Sequence, residues 1–217
     1  MPVNYKTLRG EATAEFEINK SRFIAYVGRV SSDSDAADFI RQIKKKHWDA
    51  RHNSSAYVIG ERGQLQKADD DGEPSGTAGR PILEVIKKND LKDIVIVVTR
   101  YFGGIKLGAG GLIRAYGKAA ALGIANACLV EKKLFAKIRA TIEYSFLGTV
   151  ENNLRQSGYI TESKDFSDCV TLTLLAGIAE KNQLIASLND WTAANCLIED
   201  LGEEYKEIEL KEDSLEA

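Results

Sequence analysis

At 217 residues, 44% of them hydrophobic and 28% charged, the chain is long enough for one large domain or two small ones. Its three cysteines, Cys128, Cys169 and Cys196, are far apart and lack C-x-x-C spacing, which excludes a disulfide framework or a cysteine zinc site and points to a reducing compartment. No secretory pattern opens the chain and no apolar run approaches the roughly 20 residues that span a bilayer, so a soluble, cytoplasmic protein with no membrane partner is expected. The net charge of −3 conceals an asymmetry: residues 1–130 hold 20 Lys+Arg against 15 Asp+Glu, and residues 131–217 hold 9 against 17. A basic half attracts polyanions, and an acidic half repels them and orients the molecule on its partner.

In chain order, Ala14, Phe16 and Ile18 alternate before a turn at Asn19-Lys20, and Phe23, Ala25 and Val27 alternate after it, which predicts a β-hairpin over residues 11–30. Ser32 or Asp33 caps a helix running to about Lys46, with Ala36, Phe39, Ile40 and Ile43 on its apolar face and KKKHW at its exposed end. A short strand at Ala56–Ile59, a turn at Gly60–Gly63 and a helical pattern around Ile82–Ile86, started by Ser75 or Thr77, follow. Leu91–Val98 reads as a buried strand and Ala109–Ala127 as a helix rich in small residues. Beyond a boundary near Leu129–Lys133 the pattern is a strand over 132–146, a helix over 147–157, strands near 158–165 and 168–176, a helix over 178–191 and a strand near 203–210. That βαββαβ order predicts a ferredoxin-like domain over 131–217, behind an α/β domain over 1–130, in an α+β protein. The tail after Lys211 reads as disordered.

The densest chemical signal is IVIVVTRYFGGIKLGAGGLIRAY, where five of the nine residues from Gly103 to Gly111 are glycine. Gly103, Gly104, Gly108, Gly110 and Gly111 let a ligand approach main-chain N–H groups, the next helix adds the partial positive charge of its N-terminus, and Lys106 sits among them. Phosphate or carboxylate suits such a loop, although tight packing or a sharp turn also selects glycine. The spacing fails the triphosphate-loop pattern, since Ala109 follows Gly108, and fails the dinucleotide fingerprint, since Ile113 stands where its third glycine belongs. No cofactor is expected. Arg114 and Lys118, four apart, share a helix face that either meets a polyanion or is simply solvated. Arg100 and the aromatics Tyr101, Phe102 and Tyr116 flank the loop, a combination that single-stranded RNA uses through stacking and phosphate contacts; Phe102 reads as core, and Tyr101 and Tyr116 as either core or stacking surface.

A second cluster, KADDDGEPSGTAGRPIL, holds Asp70, Glu73, Ser75 and Thr77. Its odd-spaced acids resemble a calcium loop, but Pro74 stands where the glycine is needed, so no metal is expected, and a capped turn explains the composition. His47 and His52, five apart, do not share a helical face; either could assist acid–base chemistry beside Asp70, Glu73 or Ser75, and the sequence assigns no catalytic residue.

DDGEPSGTAGRPIL at Asp70–Leu83 and VTRYFGGIKLGAGGLIRAY at Val98–Tyr116, together with KSRFIAYV at Lys20–Val27 and HNSSAY at His52–Tyr57, resemble the signature of the IMPACT family. The acidic half resembles the extra C-terminal domain of its bacterial, YigZ-type members. The resemblance implies an N-terminal fold like the second domain of a small-subunit ribosomal protein, a translation-linked role and a shared surface of His52, Asp70, Glu73, Thr77, Arg100, Tyr101, Gly103, Gly104, Lys106, Gly108, Gly110, Gly111 and Arg114. The leading expectation is a regulator that binds RNA or ribosomal phosphate through the loop and the Arg114–Lys118 face. A phosphate-ester or nucleotide-dependent enzyme using Asp70 and Glu73, and a protein-binding regulator without RNA contact, are the alternatives.

Overall fold

The structure, a computed structural model, describes residues 4–210; the expected disorder after Lys211 lies outside the described residues. The chain divides into two compact units, the first reaching Lys132 and including residues 207–210, the second spanning Lys133–Lys206.

In the first unit, β2 (Glu11–Ile18), β3 (Ser21–Arg29), β4 (His52–Ile59), β5 (Leu65–Asp69) and β6 (Ile94–Tyr101) form an antiparallel sheet of order β2-β3-β6-β4-β5. The β2–β3 hairpin turns where expected, because Asn19 and Lys20 both take the left-handed backbone, at φ 48° and 59°, that a tight hairpin demands. Helix α1 (Asp33–Lys46) covers one face; Ser32 caps it by accepting the Asp35 N–H at 3.1 Å. Helices α2 (Gly79–Lys88) and α3 (Gly108–Ala125) cover the other. Period-two alternation along β6 sends Ile94, Ile96 and Val98 to the α2/α3 core and Val95 and Val97 to the α1 core.

Strand β4 begins four residues earlier than the apolar run suggests, and the exposed edge strand β5, LQKAD, buries no residue that would mark it. Strand β1 (Tyr5–Arg9) pairs antiparallel with the start of β7 (Cys128–Ile142). The expected cap of α2 by Ser75 or Thr77 is corrected: Asp70 Oδ1 accepts the N–H groups of Ala78 and Gly79 at 3.0 and 2.8 Å, reaching across from the preceding loop.

The second unit runs β7, α4 (Tyr144–Ser157), β8 (Ile160–Phe166), β9 (Val170–Gly177), α5 (Lys181–Trp191) and β10 (Cys196–Glu209), with strand order β10-β7-β9-β8. This is the ferredoxin-like arrangement. Its core joins Ile138, Ala140 and Ile142 of β7 to Val150 and Leu154 of α4 and to Leu184 and Leu188 of α5. Strand β10 is longer than expected, because its mostly exposed residues carry little alternation.

Candidate functional site

Strand β6 delivers the site. Arg100 continues the row Ile94, Ile96, Val98 and is therefore carried to the buried α2/α3 face, 6% exposed. Its Nη1 donates to Glu73 Oε1 at 2.7 Å, and the Tyr116 hydroxyl donates to the same oxygen at 2.8 Å. The guanidinium also lies 5.6 Å from the Phe23 ring and 5.5 Å from the Phe102 ring. Arg100 Nε is the one buried side-chain polar atom with no hydrogen-bond partner among the described residues. Burial and then the charge of Glu73 push the Tyr116 hydroxyl far above the ordinary phenol range. Arg100, expected to face phosphate, is instead half of an internal ion pair.

Tyr101 points the other way. Its hydroxyl donates to Asp49 Oδ1 at 2.9 Å and lies 2.8 Å from His47 Nδ1, while His47 Nε2 lies 2.6 Å from the Tyr26 hydroxyl. With the Tyr101 proton directed at Asp49, Nδ1 carries the imidazole proton and Nε2 accepts from Tyr26. Burial, reinforced by Lys46 and opposed by Asp49, lowers the His47 pKa, so the neutral ring belongs to the fold. The KKKHW end of α1 is thus not uniformly exposed: His47 is 9% exposed and Trp48 84%.

The acidic loop is internally satisfied. Asp70 Oδ2 accepts the Gly76 N–H at 2.7 Å while Oδ1 takes those of Ala78 and Gly79; burial raises this carboxyl, yet the three donors outweigh it and hold the pKa below the usual range. Thr77 Oγ1 donates to the Pro74 carbonyl at 2.6 Å, and His52 Nδ1 lies 2.9 Å from the Asp71 carbonyl. Ser75 is exposed. Among the described residues no three His, Cys, Asp or Glu side chains are grouped to hold a metal.

The glycine loop splits into a pinned base and an open tip. Gly103 donates to Ser21 Oγ at 3.2 Å, and a Cβ there would stand 1.9 Å from the Lys20 carbonyl oxygen, so this glycine serves close packing against the hairpin. Gly104 and Gly108 take φ of 88° and 68° with open space around them. From Gly104 to Leu107 no N–H meets an acceptor among the described residues, and Leu107 offers α3 no side-chain cap. The first N–H groups of α3, at Gly108, Ala109 and Gly110, have no acceptor a turn earlier within the helix. Lys106 and Arg114 are exposed and no carboxylate among the described residues pairs with them. Arg114 leans back along the helix, its Nη1 3.7 Å from where a Cβ on Gly110 would be. Lys118 does not join them; its Nζ lies 4.8 Å from the Phe16 ring.

Gly104, Lys106, Gly108, Gly110 and Arg114 are thus exposed and Gly111 half-buried, whereas Arg100, Tyr101, His52, Asp70, Glu73 and Thr77 make internal bonds. One aromatic expectation is corrected and one open alternative is decided. Phe102 is 50% exposed rather than core, and Tyr116 is fully buried. Signals for the buried groups existed: Tyr116 follows Leu112 by four residues, and His47 follows Phe39 and Ile43 at the same spacing.

Comparison with known proteins agrees with this architecture. The Impact N-terminal domain model matches residues 19–124, and a domain of unknown function, DUF1949, matches residues 141–195. The IMPACT family member YvyE of Bacillus subtilis is 53% identical over 167 residues, covering 77% of each chain. The chain belongs to the IMPACT family. The family member YigZ of Escherichia coli is 33% identical over 178 residues, covering 81% of this chain and 87% of that one, and places the chain with the YigZ type. A crystal structure described as a hypothetical protein, 30% identical, superimposes with a TM-score of 0.59 over 90% of this chain and 96% of that one. The DUF1949 match falls within the second compact unit. No helix among the described residues is long and apolar enough to cross a membrane.

Proposed function

We propose that this IMPACT family protein is a cytoplasmic, translation-linked regulator whose first unit binds RNA or ribosomal phosphate through the loop from Gly104 to Gly111. Family membership supports a translation-related regulatory role in general. The observation that carries the finer reading is the open loop tip, whose N–H groups lack acceptors, together with two cations, Lys106 and Arg114, that lack carboxylate partners, among the described residues. Main-chain donors at a helix N-terminus with flanking Lys and Arg are suited to phosphate oxygens and carry no sequence code, so binding is tolerant of base sequence. Asp70 spends both oxygens on backbone N–H groups and Glu73 is held by Arg100 and Tyr116, so neither supports the enzymatic alternative.

Co-sedimentation with ribosomes over a salt series tests the reading. The wild-type protein pellets with ribosomes at low salt and is released as salt rises, and Lys106→Ala with Arg114→Ala releases it earlier. Pelleting that ignores both salt and the substitutions contradicts it.

A further inference from the structure

We infer that Trp48, flanked by Lys45 and Arg51, is a stacking platform for an unpaired RNA base, extending the footprint proposed for the glycine loop; the inference rests on that reading. Trp48 is 84% exposed, more than any other large hydrophobic side chain among the described residues. Its neighbours are fixed: His47 is buried between Tyr26 and Tyr101, Asp49 Oδ1 accepts the Tyr101 hydroxyl at 2.9 Å, and the Ala50 N–H bonds the His47 carbonyl at 3.0 Å. The indole is thus presented from a pinned turn, with little ordering left to lose on contact. Tyr101 both anchors this turn and immediately precedes Phe102 and the glycine loop, which ties the two features through one residue.

Chemistry selects the occupant. From Lys44 to Arg51 Trp48 is the one exposed large apolar side chain, so the turn offers no apolar patch of the kind a protein or a bilayer would cover. Its exposed neighbours in the chain include two cations: Lys45 and Arg51 are exposed and no carboxylate among the described residues pairs with them, while Lys46 packs 4.6 Å from the Tyr26 ring. The one nearby exposed acid, Asp49, is engaged by Tyr101. A lone aromatic face among unpaired cations matches a base with its phosphates.

Replacing Trp191 with Phe leaves Trp48 as the only tryptophan of the two in the chain, and its emission then reports on titration with an oligouridylate of about 15 nucleotides. Quenching is expected, and with affinity read independently from the anisotropy of the same oligouridylate carrying a fluorescent label, Trp48→Ala weakens binding by about tenfold or more and Trp48→Phe retains most of it. The salt dependence stays that of the wild type, since no phosphate contact is lost. Binding without quenching, at unchanged affinity in Trp48→Ala, overturns the inference and leaves the loop reading standing. Quenching that persists while Lys106→Ala with Arg114→Ala changes neither affinity nor salt dependence supports the stacking site and overturns the loop reading. Emission that responds to anionic lipid vesicles but not to the oligouridylate overturns the inference in favour of a membrane surface.

Discussion

Arg100 and Glu73 form an ion pair whose side chains are 7% and 3% exposed, joined at 2.7 Å, so the end of β6 is locked to the loop before α2. The adjacent Tyr116 hydroxyl shares the same carboxylate oxygen. Removing one partner of such a pair strands a buried charge, at a cost of about 3–5 kcal/mol, whereas replacing both by apolar groups costs far less. Urea denaturation of Glu73→Ala, Arg100→Leu and the double variant measures this. The expected result is a double variant more stable than either single variant; additive losses would show that the pair contributes no coupling.

The loop glycines separate by mechanism. In Gly103→Ala the new methyl meets the Lys20 backbone, which cannot swing aside, so destabilisation on the order of 3 kcal/mol is expected. Gly104→Ala meets no atom and carries only the left-handed backbone cost, about 1–2 kcal/mol. Amide chemical shifts of Asn19 to Ser21 should move in the first variant and stay in place in the second. Equal perturbation of the hairpin by both would contradict the division into pinned base and open tip.

The His47 network predicts a pH dependence. The folded pKa is lowered from an ordinary value of roughly 6.5, so the unfolded chain takes up the proton first as pH falls. The stability contributed by neutral His47 is complete above that value and declines below it, down to the folded pKa. Lys46 and Arg22 disfavour the imidazolium and Asp49 favours it, with Tyr26 and Tyr101 bonded to the ring. Thermal denaturation between pH 8 and 5.5 should therefore show a smaller loss for His47→Gln than for the wild type. An identical loss would place the titration elsewhere.

Much of the scaffold was legible in the chain because burial imposes periodicity. Ile94, Ile96 and Val98 mark one face of β6, and the βαββαβ order emerges from alternating apolar patterns after Cys128. Strand β5 and the start of β4 were not legible. All of β5 is exposed, and His52 to Ser55 are polar residues held by the sheet and by bonds such as Ser54 Oγ to the Asp70 carbonyl at 2.8 Å. The environments of the singled-out residues were less legible than the fold. Asp70 and Glu73 announce themselves as chemistry, but sequence distance hides that their partners are the first amides of α2 and the far end of β6. Tyr116 is core because the helix stripe through Leu112 claims it, and Phe102 is exposed, against expectation, because the chain leaves the sheet just before it.

The central claim is that Lys106 and Arg114 act on phosphate together with the open amides of the loop. Its most direct test is the affinity for single-stranded RNA as a function of salt, in the wild type and in each Ala variant. The account predicts a linear fall of log K with log salt whose slope becomes shallower by about 0.7 for each cation removed, with affinity lowered alike for different base sequences. Slopes and affinities that are the same in all three proteins would contradict it.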